Sequence, residues 1–150
     1  MAEIQTNYVE TIAPGYPGMV ANGETSNRIT RTIEDAGGIG FGKAAFRGTG
    51  DHGVTATPTA GGLVGITIAH EALGIIAGQT ADIYAQRQNV PIMTQGVIWV
   101  TAGEDVTDGV QAYVTSGGAF VDTASSNVIL PGWFFDTTAL SGSLVKLAKR

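Results

Sequence analysis

Alternating apolar and polar positions organise the second half of this chain. In "LVGITIA", Leu63 to Ala69, the residues Val64, Ile66 and Ile68 fall on one face of an extended segment, the period-2 pattern of a half-buried strand. "PIMTQGVIWVT", Pro91 to Thr101, reads as a longer strand or a pair of strands with Gly96 as a bulge. "VQAYVTSGGAFVDT" sets Ser116, Gly117 and Gly118 between two runs rich in strand formers, which is a hairpin signal. "NVILPGWFFDT" and "GSLVKLA" supply two or three more strands. Turn clusters recur about every eight to twelve residues, the spacing of a sandwich or barrel.

Two stretches depart from this rhythm. "HEALGIIAGQTADIYAQRQ", His70 to Gln88, has partly helical apolar spacing, but Gly74 and Gly78 would each cost about 1 kcal/mol relative to Ala inside a helix. A helix and a long connection both fit. Residues 1–27 include "APGYPGMVANGETSN", where Pro14, Gly15, Pro17, Gly18 and Gly23 punctuate Tyr16, Met19 and Val20. Pro keeps such a segment extended and turn-rich. With Tyr8 upstream, it reads as an extended N-terminal arm with hydrophobic anchors for a neighbour, or as an irregular segment lying on its own domain. The predicted organisation is an arm over 1–27 and a β-domain over 28–150.

Composition sharpens the fold class. The chain has 150 residues, enough for one domain or a domain with an arm. Val and Ile total 26 against 6 Leu, Thr adds 18, and Glu with Lys supply only 9. That is a strand vocabulary, because β-branched side chains fit a pleated surface and lose χ1 freedom in helices. The 22 glycines signal many turns and bulges rather than disorder, since Val, Ile, Leu and Phe still total 37. We predict an all-β fold, a jelly-roll-type sandwich or small barrel.

Charge narrows the partners. Charged residues are 14% of the chain, against roughly 25% for an ordinary globular protein, so the surface is mostly uncharged and suits burial against partners. The formal net charge is −5. Lys and Arg are absent from Gln88 to Val145, where Glu104, Asp105, Asp108, Asp122 and Asp136 lie; five bases precede that stretch and three follow it. An acidic body with bases elsewhere argues against direct nucleic-acid binding and for charge-complementary contact between subunits. No Cys is present, which removes disulfides and thiolate chemistry. The first residues lack a basic, then apolar, export pattern, so synthesis in a cytoplasm is expected. No run approaches the roughly 18 apolar residues of a membrane span.

One motif invites an enzymatic reading. In "GGIGFGKA", Gly37, Gly42 and Lys43 stand at the spacing of a phosphate-binding loop, with Ala44 where a metal-binding hydroxyl belongs. Such a loop needs a helix N-terminus behind it to meet the phosphates, and Gly48, Gly50 and Gly53 follow too closely for one. A glycine-rich strand and loop is the expectation, with Lys43 and Arg47 touching acidic groups on a partner. The pairs Asp51–His52 and His70–Glu71 lack the ligand spacings of a metal site, and no nucleophile elbow is present. We therefore expect no enzyme, no cofactor and no metal. Trp99, Trp133, Phe134 and Phe135 suit either core packing or a ligand-stacking platform.

Two blocks carry a family likeness. "PGYPGMVANGETSNRITRTIEDAGGIGFGKAAFRGTGDHG", Pro14 to Gly53, and "IMTQGVIWVTAGEDVTDGVQAYVTSGGAFVDT", Ile92 to Thr123, resemble the structural cement proteins of tailed-bacteriophage capsids. The resemblance implies a small β-domain on the outer surface of the virion, made in the host bacterial cytoplasm. It would bridge major capsid subunits and stabilise the icosahedral shell, with copies pairing as dimers or trimers. It brings no catalytic residues. The candidate capsid or subunit interface comprises Tyr8, Tyr16, Met19, Arg28, Arg31, Lys43, Arg47 and Trp133. The alternative is a glycan-binding β-sandwich or adhesin of the virion surface, built on exposed aromatics around Trp133.

Overall fold

The computed structural model describes residues 14–70 and 80–150, and within them every regular element is a strand. In chain order these are β1 (Asn27–Ile33), β2 (Ile39–Gly40), β3 (Ala44–Arg47), β4 (Gly53–Thr55), β5 (Leu63–Thr67), β6 (Ile83–Tyr84), β7 (Asn89–Thr101), β8 (Gln111–Val114), β9 (Phe120–Val121), β10 (Val128–Phe135) and β11 (Leu144–Lys149). The all-β expectation holds. Of the stretch for which a helix and a long connection both fitted, residues 71–79 lie outside the described residues, and β6 with a turn occupies its end.

The first five strands of the main sheet close on themselves. Its order is β1-β4-β3-β5-β7, and β1 pairs again with β7, so the ladder returns to its start as a small barrel. The β1–β4 pair is parallel and the other four are antiparallel. Closure removes the unpaired strand edges that an open sheet exposes. Inside lie Ile33, Ala45, Val54, Val90 and Ile92, and Ile39, Phe41 and Tyr84 from around the β2–β6 pair join the same cluster.

Strand β7 ties this barrel to a second set of strands. Its residues Asn89–Gln95 face β1, while Gly96–Thr101 pair with β11, from which the sheet continues through β10 and β8 to β9. The ladder skips one residue between Met93 and Gln95 opposite Asn27 and Arg28. The bulge therefore falls at Thr94, beside the Gly96 to which the sequence pattern pointed, and it re-aims the strand. A parallel bridge from Ala102 to Phe120 brings β9 back to the end of β7. The larger core fills this half, with Ile98, Val100, Val114, Phe120, Leu130, Trp133, Phe135, Val145 and Leu147 all buried, and continues to Phe46, Ile66 and Met93.

Residues 18–21 run along the free side of β7. Gly18 N–H donates to Trp99 O (2.7 Å), Trp99 N–H to Met19 O (2.9 Å) and Ala21 N–H to Val97 O (2.9 Å). Val97 to Val100 are consequently covered on both faces and both edges, which explains four consecutive apolar residues where a half-buried strand would alternate.

Candidate functional site

The glycine-rich motif is a crossing of two backbones. Gly37–Ala44 contains β2, a tight turn and the first residue of β3, and a strand rather than a helix follows. Its N–H groups are already committed: Gly38 donates to Asp35 O, Phe41 to Asp82 O, Gly42 to Thr67 O and Lys43 to the Thr67 hydroxyl. The same buried hydroxyl donates to Gly40 O at 2.7 Å. A phosphate cradle needs those N–H groups free and convergent. Gly42 has φ +60° and meets Gly18, at φ +86°, head on: a Cβ on Gly42 would lie 2.6 Å from Gly18 N. The motif spacing thus arises from the docking of "PGM" onto "FGK".

The next glycine run wraps a carboxylate. Glu34, just after β1, accepts hydrogen bonds from Thr49 N–H (2.8 Å), Gly50 N–H (2.8 Å) and the Thr49 hydroxyl (3.0 Å). The Thr49 and Gly50 amides hold its carboxyl below the usual carboxylate range. Gly53 carries no side chain because a Cβ there would fall 1.6 Å from Glu34 Oε1. The sequence reading missed this role; "RGTGDHG", with an acid two residues beyond Thr32, was the available signal.

This clamped loop forms the rim of a cleft of about 420 Å³ at the open end of the barrel, lined by Arg31, Arg47, Gly48, Thr49, Gly50, Asp51, Gly53 and Val64. Arg31 is paired across the ladder with buried Val90, and Arg47 with buried Val54, so both stand on the strand face that fills the barrel core. Among the described residues Arg31 makes one hydrogen bond, to Thr30 O at 3.2 Å. Among the described residues the ion pairs involve only Arg150, with Glu24 and Asp136.

The other candidate residues scatter. Tyr16 is 41% exposed and lines a second cleft, about 290 Å³, with Pro17, Phe41, Lys43, Asp82 and Thr101. Met19 is half-buried against β7. Arg28 is exposed, its Nε donating to Ser26 Oγ at 3.3 Å. Tyr8 lies outside the described residues. Trp133 is 1% exposed. The structure thus corrects its assignment to a surface: it is a core residue, and no ring face is open for a partner or a sugar. Its carbonyl, with that of Leu130, accepts from Gln111 Nε2 at 2.7 Å, which ties β8 to the irregular middle of β10.

Two bases near the C-terminus are engaged within the domain. Arg150 forks to Glu24 (2.9 and 3.0 Å) and to Asp136 (3.1 and 3.1 Å) and lies over Phe134 at 5.4 Å. Arg150 holds the Glu24 carboxyl below its usual range. Lys146 sits over the Trp99 ring at 5.3 Å, a cation–π contact. Apart from Asp136, the acids of the long base-free stretch point elsewhere. Glu104 Oε1 caps Asp122 N–H and Thr123 N–H, and Asp105 Oδ1 accepts from Ser141 N–H. Asp108 is exposed, and its carboxylate accepts no hydrogen bond from the described residues.

Comparison with known proteins completes the description. A family model described as structural cement protein (E217 gp24/Pam3 gp6) matches residues 4–149. Among solved structures, a chain of the capsid of Myoviridae phage XM1 superposes with a TM-score of 0.72 at 13% identity, covering 98% of this chain and 97% of that one. The head fibre gp8.5 N base of bacteriophage phi29 aligns at a TM-score of 0.43 and 16% identity, over 84% of this chain and 95% of that one. No curated protein matches.

Proposed function

The chain belongs to the structural cement protein family, and we propose that it binds the outer surface of an assembled icosahedral phage shell, bridging neighbouring major capsid subunits. Its role is that of a capsid cement or decoration protein of a bacteriophage. The observation that carries this reading is the family match, which spans residues 4–149. The shared architecture with a chain of the phage XM1 capsid agrees on the fold. A structural rather than catalytic role follows from the family, and synthesis in the host cytoplasm before docking completes the picture.

The physics of the surface supports a clamp. A barrel with its edges paired meets partners through side chains and loops. The surface of a chain with 14% charged residues loses little hydration when covered. Several weak contacts held on one rigid body make each later engagement effectively intramolecular, which raises avidity on a repetitive shell. Of the 1–27 segment read as an arm, Gly18 to Ala21 are engaged with β7 of their own domain. Copies pair on the shell as dimers or trimers. The glycan-binding alternative loses its anchor because Trp133 is enclosed.

The test is to mix the purified protein with capsids of its phage that lack it and to count bound copies by cryo-electron microscopy. Ordered density on the outer surface at subunit junctions is expected. A folded protein that leaves the shells bare refutes the proposal.

A further inference from the structure

We propose that the barrel mouth between Arg31 and Arg47 is a carboxylate socket, and that its occupant is the Asp105–Asp108 loop of a second copy of this chain. The inference deepens the oligomer reading above by naming the surface and its partner. Two guanidinium groups line one cleft of about 420 Å³, and neither makes an ion pair with a described residue. Each presents up to five N–H donors in a planar fork that fits a carboxylate; one hydrogen bond, from Arg31 to Thr30 O, uses that capacity. Asp51 also lines the cleft and stands beyond ion-pair distance of both.

The rim is built for a backbone or short side chain to approach. Gly48, Gly50 and Gly53 line it, and the Glu34 carboxylate fixes that loop from behind through Thr49 and Gly50. Every lining residue lies between Arg31 and Val64, so the acidic stretch after Gln88 contributes nothing to its own mouth. That stretch supplies the complementary charge. Asp108 is exposed with an unengaged carboxylate, and Asp105 is exposed with Oδ1 alone hydrogen-bonded, to Ser141 N–H. Since the two patches are different surfaces, two copies either exchange them reciprocally in a closed dimer or pass them head to tail around a ring.

The experiment is sedimentation velocity of the full chain at low and high salt, without capsids. The wild type is compared with Arg31→Glu/Arg47→Glu, with Asp105→Lys/Asp108→Lys, and with the chain carrying all four changes. Circular dichroism confirms that each is folded; the Asp pair is on an exposed loop and keeps the test valid if the Arg pair unfolds. Self-association weakened by salt is expected, reduced about tenfold or more by either reversal and restored in the fourfold variant. A wild type that stays monomeric, association indifferent to the reversals, or a fourfold variant without recovery overturns the proposal. Loss of shell binding with unchanged self-association also overturns it, assigning the socket to the shell protein. Because shell binding is read separately, failure of the socket leaves the cement role standing, and bare shells leave the socket standing.

Discussion

Replacing Gly42 with Ala separates a packing motif from a phosphate loop. At φ +60° an L-residue costs about 1 kcal/mol or slightly more, and the added Cβ would sit 2.6 Å from Gly18 N and 2.9 Å from Pro17 C. Both neighbours are backbone held by hydrogen bonds on either side, Gly18 N–H to Trp99 O and Ala69 N–H to Gly18 O, so relief requires moving a paired segment, at about 1–3 kcal/mol. Ala also restricts the unfolded chain, which returns about 0.5–1 kcal/mol. The net loss is about 1–4 kcal/mol, a fall in Tm of roughly 2–16 °C for a chain of this size. Gly37 is the internal control: no atom lies within 4 Å of its would-be Cβ, and Gly37→Ala stays within about 0.5 kcal/mol. Urea titration of both variants reads the difference. Equal losses, or a neutral Gly42→Ala, would refute the backbone-crossing argument.

Three further outcomes are expected. Lowering the pH releases the loop from Thr49 to Gly53, because the Glu34 carboxyl titrates below its ordinary 4.5. A depressed folded value gives stability that is present above 4.5 and lost as pH falls through the folded value. Hydrogen exchange at Thr49 and Gly50 should accelerate there, and Glu34→Gln should remove the pH dependence; protection unchanged across that window contradicts the clamp. At the other end of the scale, burial pushes Tyr84 up to about 12 from 10, so its contribution is intact below pH 10 and disappears between 10 and 12. Tyr84→Phe should abolish that alkaline loss in a thermal melt and, by orphaning the Ile68 carbonyl it bonds at 2.5 Å, cost about 1–3 kcal/mol at neutral pH. Trp133→Ala should cost about 3–5 kcal/mol by chemical denaturation, since its ring is enclosed; a loss below about 1 kcal/mol would mean the ring is not core.

What the sequence disclosed follows from how local each feature is. The apolar run at Leu63–Ala69, the hairpin at Ser116–Gly118 and the preference for Val, Ile and Thr are signals within a few residues, and they give strands β5, β8 and β9 and the all-β class. The single face expected for Val64, Ile66 and Ile68 splits at a register shift, with Val64 against the barrel cluster and Ile66 and Ile68 in the larger core. Ring closure is different in kind. It rests on β1 meeting β7 some sixty residues away and on a parallel β1–β4 pair, and no periodicity encodes which edges meet. The Glu34 clamp was hidden for the same reason: its partners Thr49 and Gly50 are loop residues whose only mark is glycine spacing. Trp133 was ambiguous because an aromatic run in a strand suits core and surface equally, and burial alone decides. The family came from residue combinations such as "TQGVIWV" rather than from any site chemistry.

Closure also limits how such a domain can bind. An open β-sandwich has edge strands that pair with a neighbour by adding main-chain hydrogen bonds. Here β1 seals the barrel against β7, residues 18–21 occupy the rest of that side of β7, and β9 returns to Ala102. Strand addition at these edges would first have to break one of these ladders, which leaves side chains, loops and clefts as the surfaces for a partner. Charges that could direct those meetings differ in their engagement: Lys146 and Arg150 are held within the domain, on Trp99, Glu24 and Asp136, while Arg31 and Arg47 line a cleft and make no ion pair with a described residue. Two arginines that share one cleft direct acidic partners to that cleft. For a clamp whose strength depends on many equal contacts, a fixed direction of approach is what lets each contact repeat around a symmetric shell.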